Sequence, residues 1–202
     1  MSHHPATRGS GLLESFLSRK RAATADRLIP NQARTGSILD IGCGTSPLFL
    51  SQTQFKQRTG IDRNAADRAS DFPDLKLISH DLNADQPLPL PDEQFDIITM
   101  LAVFEHIPQP RLPQLLNETH RLLKPTGQLI LTTPASWTKP ILWTMARVGL
   151  VSKEEIDEHD DQYSRADIRA FFAKTNYPPN TLTFGSFELG MNTYAVAEKA
   201  AH

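Results

Sequence analysis

The sequence predicts an α/β fold: a mainly parallel sheet covered by helices on both faces. Three observations predict it. Short apolar runs bounded by turn residues alternate with helical patterns over the first 135 residues, as in successive β-α-β units. The last two strand-like runs leave no room for a helix between them, so they pair as an antiparallel hairpin. A glycine loop, Gly42-Cys43-Gly44, follows the first strand, where an open α/β sheet binds its ligand.

The elements follow in order. Leu12, Leu13, Phe16 and Leu17, then Leu28 and Ile29, predict an amphipathic helix over residues 10–29. Its basic triplet Arg19-Lys20-Arg21 reads either as a solvated face or as a contact to something anionic. Ser37 to Ile41 is the first strand, and Pro47 suits the first turn of the next helix. Gln57 to Ile61, ending at Asp62, and Leu75 to Ser79, ending near His80-Asp81, are the second and third strands. The Pro-rich run 87–92 is extended and cannot be helical. Phe95 to Met100 is the clearest buried strand. Leu112, Leu115, Leu116, Leu122 and Leu123 give a helix over 111–123, stopped by Lys124-Pro125-Thr126-Gly127 before a fifth strand from Gln128 to Thr132. Arg165 to Lys174 is the last helix, capped by Ser164. Thr181 to Phe187 and Thr193 to Ala197 form the hairpin, joined near Leu189-Gly190, with Phe184, Phe187 and Tyr194 as core.

Composition bounds the function. A chain of 202 residues, 39% hydrophobic and 22% charged, fits one domain with a sizeable core. A net charge of -2 from 21 basic and 23 acidic residues argues against a nucleic-acid-coating surface. The only cysteine is Cys43, so the chain has no intrachain disulfide and no cysteine-rich metal site. That fits a reducing compartment, and with no signal-peptide pattern at the N-terminus the expected location is cytoplasmic. The longest apolar stretch, 140–151, is too short to span a bilayer and contains Arg147. It leaves peripheral membrane contact or an apolar substrate open.

The glycine loop separates ligand classes. A dinucleotide fingerprint requires Gly or Ala at position 47, which is Pro47, and a P-loop ends in Gly-Lys-Ser/Thr, which is absent. Asp40 just before the loop would repel a pyrophosphate and would suit a ligand carrying an ammonium and a sulfonium. An NAD-dependent oxidoreductase is therefore disfavoured.

At these residues a resemblance becomes plain. Ile38-Leu39-Asp40-Ile41-Gly42-Cys43-Gly44-Thr45 resembles motif I of the class I (Rossmann-like) S-adenosylmethionine-dependent methyltransferases. Residues 95–107, Phe95 to Ile107, resemble motif IV and the following turn of the type 11 methyltransferase-domain group. Residues 122–129 resemble the junction of helix and strand five, with Thr126 in place of a glycine, and Ser46 stands where many members have a third glycine. The resemblance covers residues 36–135. It implies a single-domain, three-layer fold with a seven-stranded sheet of order 3-2-1-4-5-7-6, strand 7 antiparallel. The implied cofactor is S-adenosyl-L-methionine, leaving S-adenosyl-L-homocysteine as product.

The implied cofactor residues are Asp40, Gly42, Cys43 and Gly44 in motif I, Asp62 and Arg63 after strand two, Asp81 and Leu82 after strand three, and Leu101 and Ala102 after strand four. Asp62 would take the ribose hydroxyls and Asp81 the adenine amino group. The implied organisation is a disordered 1–10 and a methyltransferase domain over 11–202. Within it, 11–35 is the N-terminal helix, 36–135 the cofactor-binding core, 136–164 a lid or substrate-covering insertion, and 165–202 the closing helix and hairpin.

Acceptor-side residues are less sharply marked. Glu105-His106 follow strand four, where His106 would serve as proton acceptor or the pair as packing. His159 and Tyr163 are the second pair of catalytic candidates and share a helix face if 154–164 is helical; otherwise the segment is an acidic connector. No metal site is expected, since no second histidine stands at ligand spacing from His159. Trp137 and Trp143 would line an apolar pocket or pack a lid. The expected activity is methyl transfer to O, N or C of a small molecule, such as a lipid, quinone or sugar intermediate, with no nucleic-acid partner and an open oligomeric state. A non-catalytic S-adenosylmethionine-binding regulator is the alternative.

Overall fold

The computed structural model describes residues 12–135 and 163–201. Seven strands form one sheet: β1 (Ser37–Ile41), β2 (Gln57–Asp62), β3 (Lys76–Ser79), β4 (Phe95–Leu101), β5 (Leu123–Pro134), β6 (Thr183–Phe187) and β7 (Asn192–Glu198). Their order is β3-β2-β1-β4-β5-β7-β6, as the resemblance implied. The first five run parallel, and β7 lies antiparallel between β5 and β6.

The strand sequences explain the layering. β1 reads Ser-Ile-Leu-Asp-Ile and is buried at every position, as a central parallel strand covered on both faces must be. Ile38, Ile97 and Ile130 point to one face, where Ala22, Ala25 and Ile29 join them from helix α1 (Leu12–Leu28) and its end, and Phe49 and Leu50 from α2 (Leu48–Gln52). Leu39, Ile98 and Leu131 point to the other, against Leu112, Leu115 and Leu116 of α3 (Leu112–Leu122) and Ile168 and Phe172 of α4 (Arg165–Phe172). The switch of face between neighbours follows from the two-residue period of a strand. Truncating one of the fully buried leucines to alanine costs about 2–5 kcal/mol.

Several boundaries differ from expectation. α1 packs through small residues of its C-terminal half, Ala22 and Ala25, which let it approach the sheet closely. Phe16, expected on the apolar face, is 52% exposed. Pro47 stands just outside α2, at its N-cap position, rather than in its first turn. β3 starts at Lys76, α4 ends at Phe172 and β6 starts at Thr183. β5 begins at Leu123 rather than Gln128, because 124–127 is an outward bulge. Thr126 takes φ 63 there and donates its N–H to the Lys199 carbonyl, while the Lys199 N–H returns to Gly127. Phe184, Phe187 and Tyr194 are half-buried rather than core. Ser164 caps α4 in a reciprocal box with Asp167. Among the described residues no helix is long and apolar enough to cross a membrane.

Candidate cofactor and acceptor site

The ends of β1, β2 and β4 and the segment after β3 meet at the carboxyl edge of the sheet. Chain reversal out of β1 requires left-handed backbone, and Gly42 and Gly44 supply it at φ 76 and 67. The Gly42 N–H donates to the Ile61 carbonyl at 2.7 Å, which ties the loop to β2. A side chain at Gly42 would run into the Val103 isopropyl group. One at Gly60 would run into the buried Cys43 Sγ, so Cys43 fills the space beneath the loop.

The two nearest carboxylates play different parts. Asp40 is 4% exposed, and its Oδ1 accepts a 2.6 Å hydrogen bond from the Thr99 hydroxyl, its register partner on β4. It supports the base of the loop from beneath. Asp62 is half-buried and its Oδ2 accepts the Gly44 N–H at 3.0 Å. Its Oδ1 takes no hydrogen bond among the described residues. Asp81 is exposed; its Oδ1 accepts the Asn83 N–H at 3.0 Å and the Arg63 guanidinium at 3.2 Å. The Asn83 N–H first, and then Arg63, hold its carboxyl below the usual range. Leu82 beside it is buried.

After β4 the chain turns at Ala102, which takes φ 55 and donates its N–H to the carbonyl and hydroxyl of Thr132. A 3₁₀ turn, Phe104–His106, follows and separates the two residues expected as a pair. Glu105 is 2% exposed, whereas His106 is exposed. Tyr163 is 4% exposed and stands edge-on to Phe104 and Phe171 at 5.4 and 5.2 Å. His159, Trp137, Trp143, the apolar stretch 140–151 and most of the expected insertion 136–164 lie outside the described residues.

The structure therefore brings Gly42, Cys43, Gly44, Asp62, Asp81, Leu82, Leu101 and Ala102 to one edge, with Arg63 acting on Asp81. Sequence reasoning missed Thr99, Val103 and Thr132, which hold Asp40, Gly42 and Ala102 in place. It also missed Arg68, whose guanidinium donates to the Ser46 hydroxyl at 3.2 Å. Pairing β1 with β4 at their carboxyl ends would have found Thr99 opposite Asp40. The others answer to loop geometry that no sequence period encodes. Two open concavities of about 360 and 340 Å³ lie elsewhere, one beside Arg34, Phe55 and Arg58, the other between Gln86, Arg111 and Glu118.

The donor set fits S-adenosylmethionine. Carboxylates spaced along adjacent strand ends suit hydroxyls, an amino group and a cation. Left-handed glycines let backbone approach a ligand, and among the described residues no cluster of cations marks a phosphate cradle there.

Comparison with known proteins agrees. A family model described as a methyltransferase domain, Methyltransf_23, matches residues 13–181. The chain belongs to this family, within the class I S-adenosylmethionine-dependent methyltransferases. It is 33% identical over 102 residues to a ubiquinone biosynthesis O-methyltransferase of Pseudomonas aeruginosa (strain UCBPP-PA14), covering 48% of this chain and 43% of that one. It is 29% identical over 115 residues to the tRNA N(3)-cytidine methyltransferase METTL2 of Gallus gallus, covering 50% of this chain and 31% of that one. The chain thus spans less than half the length of these relatives. The fold matches that of an S-adenosylmethionine-dependent methyltransferase from Mesorhizobium loti, with a TM-score of 0.65, 17% identity, and 91% of this chain and 100% of that one covered.

Proposed function

We propose that this chain transfers the methyl group of S-adenosylmethionine to a small-molecule acceptor. The observation that carries the reading is the pair of carboxylates, Asp62 and Asp81, on adjacent strand ends beside a glycine loop in left-handed backbone. Asp62, with one oxygen anchored by the Gly44 N–H, offers the other to the ribose hydroxyls. Asp81, fixed by Asn83 and Arg63, takes the adenine amino group, with Leu82 against the ring. Gly42, Cys43 and Gly44 bring backbone to the amino-acid end, and Leu101 and Ala102 border the reacting centre.

The cofactor, when bound, supplies a methyl group activated by its sulfonium. The protein's part is to orient the acceptor and, for an O or N nucleophile, to take its proton. His106, exposed on the turn after β4, is the imidazole assigned to that proton. Behind this turn the buried Phe104 packs edge-on against Tyr163 and Phe171. The likeness to ubiquinone biosynthesis O-methyltransferases favours a lipid or quinone-like acceptor over a sugar, and the near-neutral charge disfavours a nucleic acid. Peripheral membrane contact through 140–151 and a cytoplasmic location are consistent with this acceptor class.

The test is calorimetry with S-adenosylhomocysteine, followed by a labelled-methyl transfer screen over quinone, lipid, saccharide and tRNA pools. Binding together with label in an apolar fraction is the expected result. Label in tRNA would overturn the acceptor class, and binding without any transfer would favour the regulatory alternative. His106→Asn is expected to remove the acidic limb of the pH-rate profile while leaving S-adenosylhomocysteine affinity unchanged.

A further inference from the structure

Among the described residues only two large apolar side chains are substantially exposed, Phe16 at 52% and Leu189 at 97%. They are far apart in sequence, and Lys20 links the two elements that carry them. Lys20, one turn on from Phe16, sits with its Nζ 5.3 Å from the Phe16 ring centroid. Lys20 and the adjacent Arg21 also act electrostatically on Glu188, the residue before Leu189. Burial raises the Glu188 carboxyl above its usual range, and these two cations, with the Asn192 amide, pull it back.

The hairpin tip is built to project. Glu188, Leu189 and Gly190 all take left-handed backbone, at φ 53, 56 and 83. A leucine there carries a conformational cost and gains no packing in return. The tip also stands at the carboxyl edge of the sheet, because Asn192 opens β7 opposite Pro134, the last residue of β5. The Ala135 N–H bonds to the Met191 carbonyl beside it. Arg19 and Lys20 are both exposed, and Glu188 is the acidic group that faces Lys20 and Arg21 from the packed hairpin.

We propose that this rim, made by Phe16, Arg19 and Lys20 of α1 and by Leu189 of the β6–β7 turn, docks on an anionic phospholipid surface. Its chemistry is that of an interfacial anchor: a few apolar side chains to enter the headgroup region, flanked by cations that meet lipid phosphates. Charge complementarity selects this occupant. A second copy of the chain would set cation against cation, and a nucleic acid would meet the cations but has no use for a fully exposed leucine at the tip. The inference rests on the methyltransferase reading only in making this edge the one an apolar acceptor approaches; the surface would deliver such an acceptor from the bilayer.

The test is flotation of the full chain with phosphatidylcholine vesicles, with and without phosphatidylserine. Binding confined to the anionic vesicles and weakened by salt is expected. The double variant Arg19→Gln/Lys20→Gln should lower the partition coefficient by about tenfold or more, at roughly 1 kcal/mol per cation near the surface. Leu189→Asn removes the apolar tip with a residue that tolerates left-handed backbone, and should lower it by about fivefold. Equal binding to neutral vesicles, no vesicle binding, or indifference to both variants overturns the proposal. So does a dimer in sedimentation that Leu189→Asn dissolves. S-adenosylhomocysteine calorimetry on the same preparations keeps the two readings apart. Intact cofactor binding without vesicle binding removes only the docking surface, and vesicle binding without cofactor binding removes only the methyltransferase reading.

Discussion

The two edges of the sheet spend their polar groups differently. At the amino edge nearly every charge is met by another. Asp26 accepts from Arg34 and Thr53, Asp96 from Lys124 and from the Ser37 N–H, and Arg121 bridges Glu118 and Asp92 while donating to the Leu88 and Leu90 carbonyls. Lys199, 6% exposed, pairs with Glu93 and donates to the Leu123 carbonyl. At the carboxyl edge, Asp62 spends one oxygen on a backbone N–H, and Asp81 is braced by Asn83 and an exposed Arg63. The lesson is that saturated polar networks hold the fold, whereas the partly engaged carboxylates are the ones proposed to meet a ligand.

Variants can break this contrast or sharpen it. The largest effect is expected for Gly42→Ala, which forces left-handed backbone on a Cβ already in conflict with Val103. It should cost about 3–4 kcal/mol in chemical denaturation and weaken S-adenosylhomocysteine as well, so it would blur the separation between the edges. Asp62→Ala should sharpen it. Loss of hydrogen bonds from a charged acceptor, about 2–3 kcal/mol, should raise the S-adenosylhomocysteine Kd roughly a hundredfold in calorimetry, with little change in melting temperature. Lys199→Met should do the reverse, costing about 2 kcal/mol of stability with Kd unchanged, and a large Kd change would break the contrast.

Acid titration tests the amino edge as a group. Burial alone would raise Asp26 and Asp96, but hydrogen bonds from Arg34 and Thr53, and from Lys124 and Ser37, leave both below their ordinary value of 3.8. Glu118 is lowered from 4.5, first by Arg121, against its burial and with help from the Leu88 N–H. Carboxyls depressed in the folded state stabilise it fully above their unfolded values and cease to do so as pH falls through their folded ones. Melting temperature should therefore hold level from neutral pH to about pH 5 and drop below about pH 4. Glu188, raised by burial, contributes in the opposite sense, since its protonation favours the folded state. In Asp96→Asn the acid loss should be shallower. The smallest effect is expected for Ser164→Ala, about 1 kcal/mol for one exposed helix cap.

Much of this was legible in the sequence because strand ends carry their chemistry with them. Asp62 and Asp81 each close a short apolar run, so finding the strands found the acids, and the missing helix before Thr193 foretold the antiparallel β7. What escaped was set by contacts across the fold. Phe16 looks like core until α1 is seen to approach through Ala22 and Ala25. Lys124-Pro125-Thr126-Gly127 looks like a stop until Lys199 pairs with it. Thr99 looks like plain strand until its hydroxyl is found on Asp40. In each case a partner distant in sequence decides, and local pattern is silent about it.

The bond from the Gly44 N–H to Asp62 has a spectroscopic consequence. One amide proton joins the turn of the glycine loop to the carboxylate proposed to read the ribose, so its chemical shift and exchange rate answer to both. In a ¹⁵N-labelled sample this resonance serves as a built-in gauge of site occupancy. It should move on titration with S-adenosylhomocysteine and exchange more slowly with deuterium once the carboxylate is held from above as well as below.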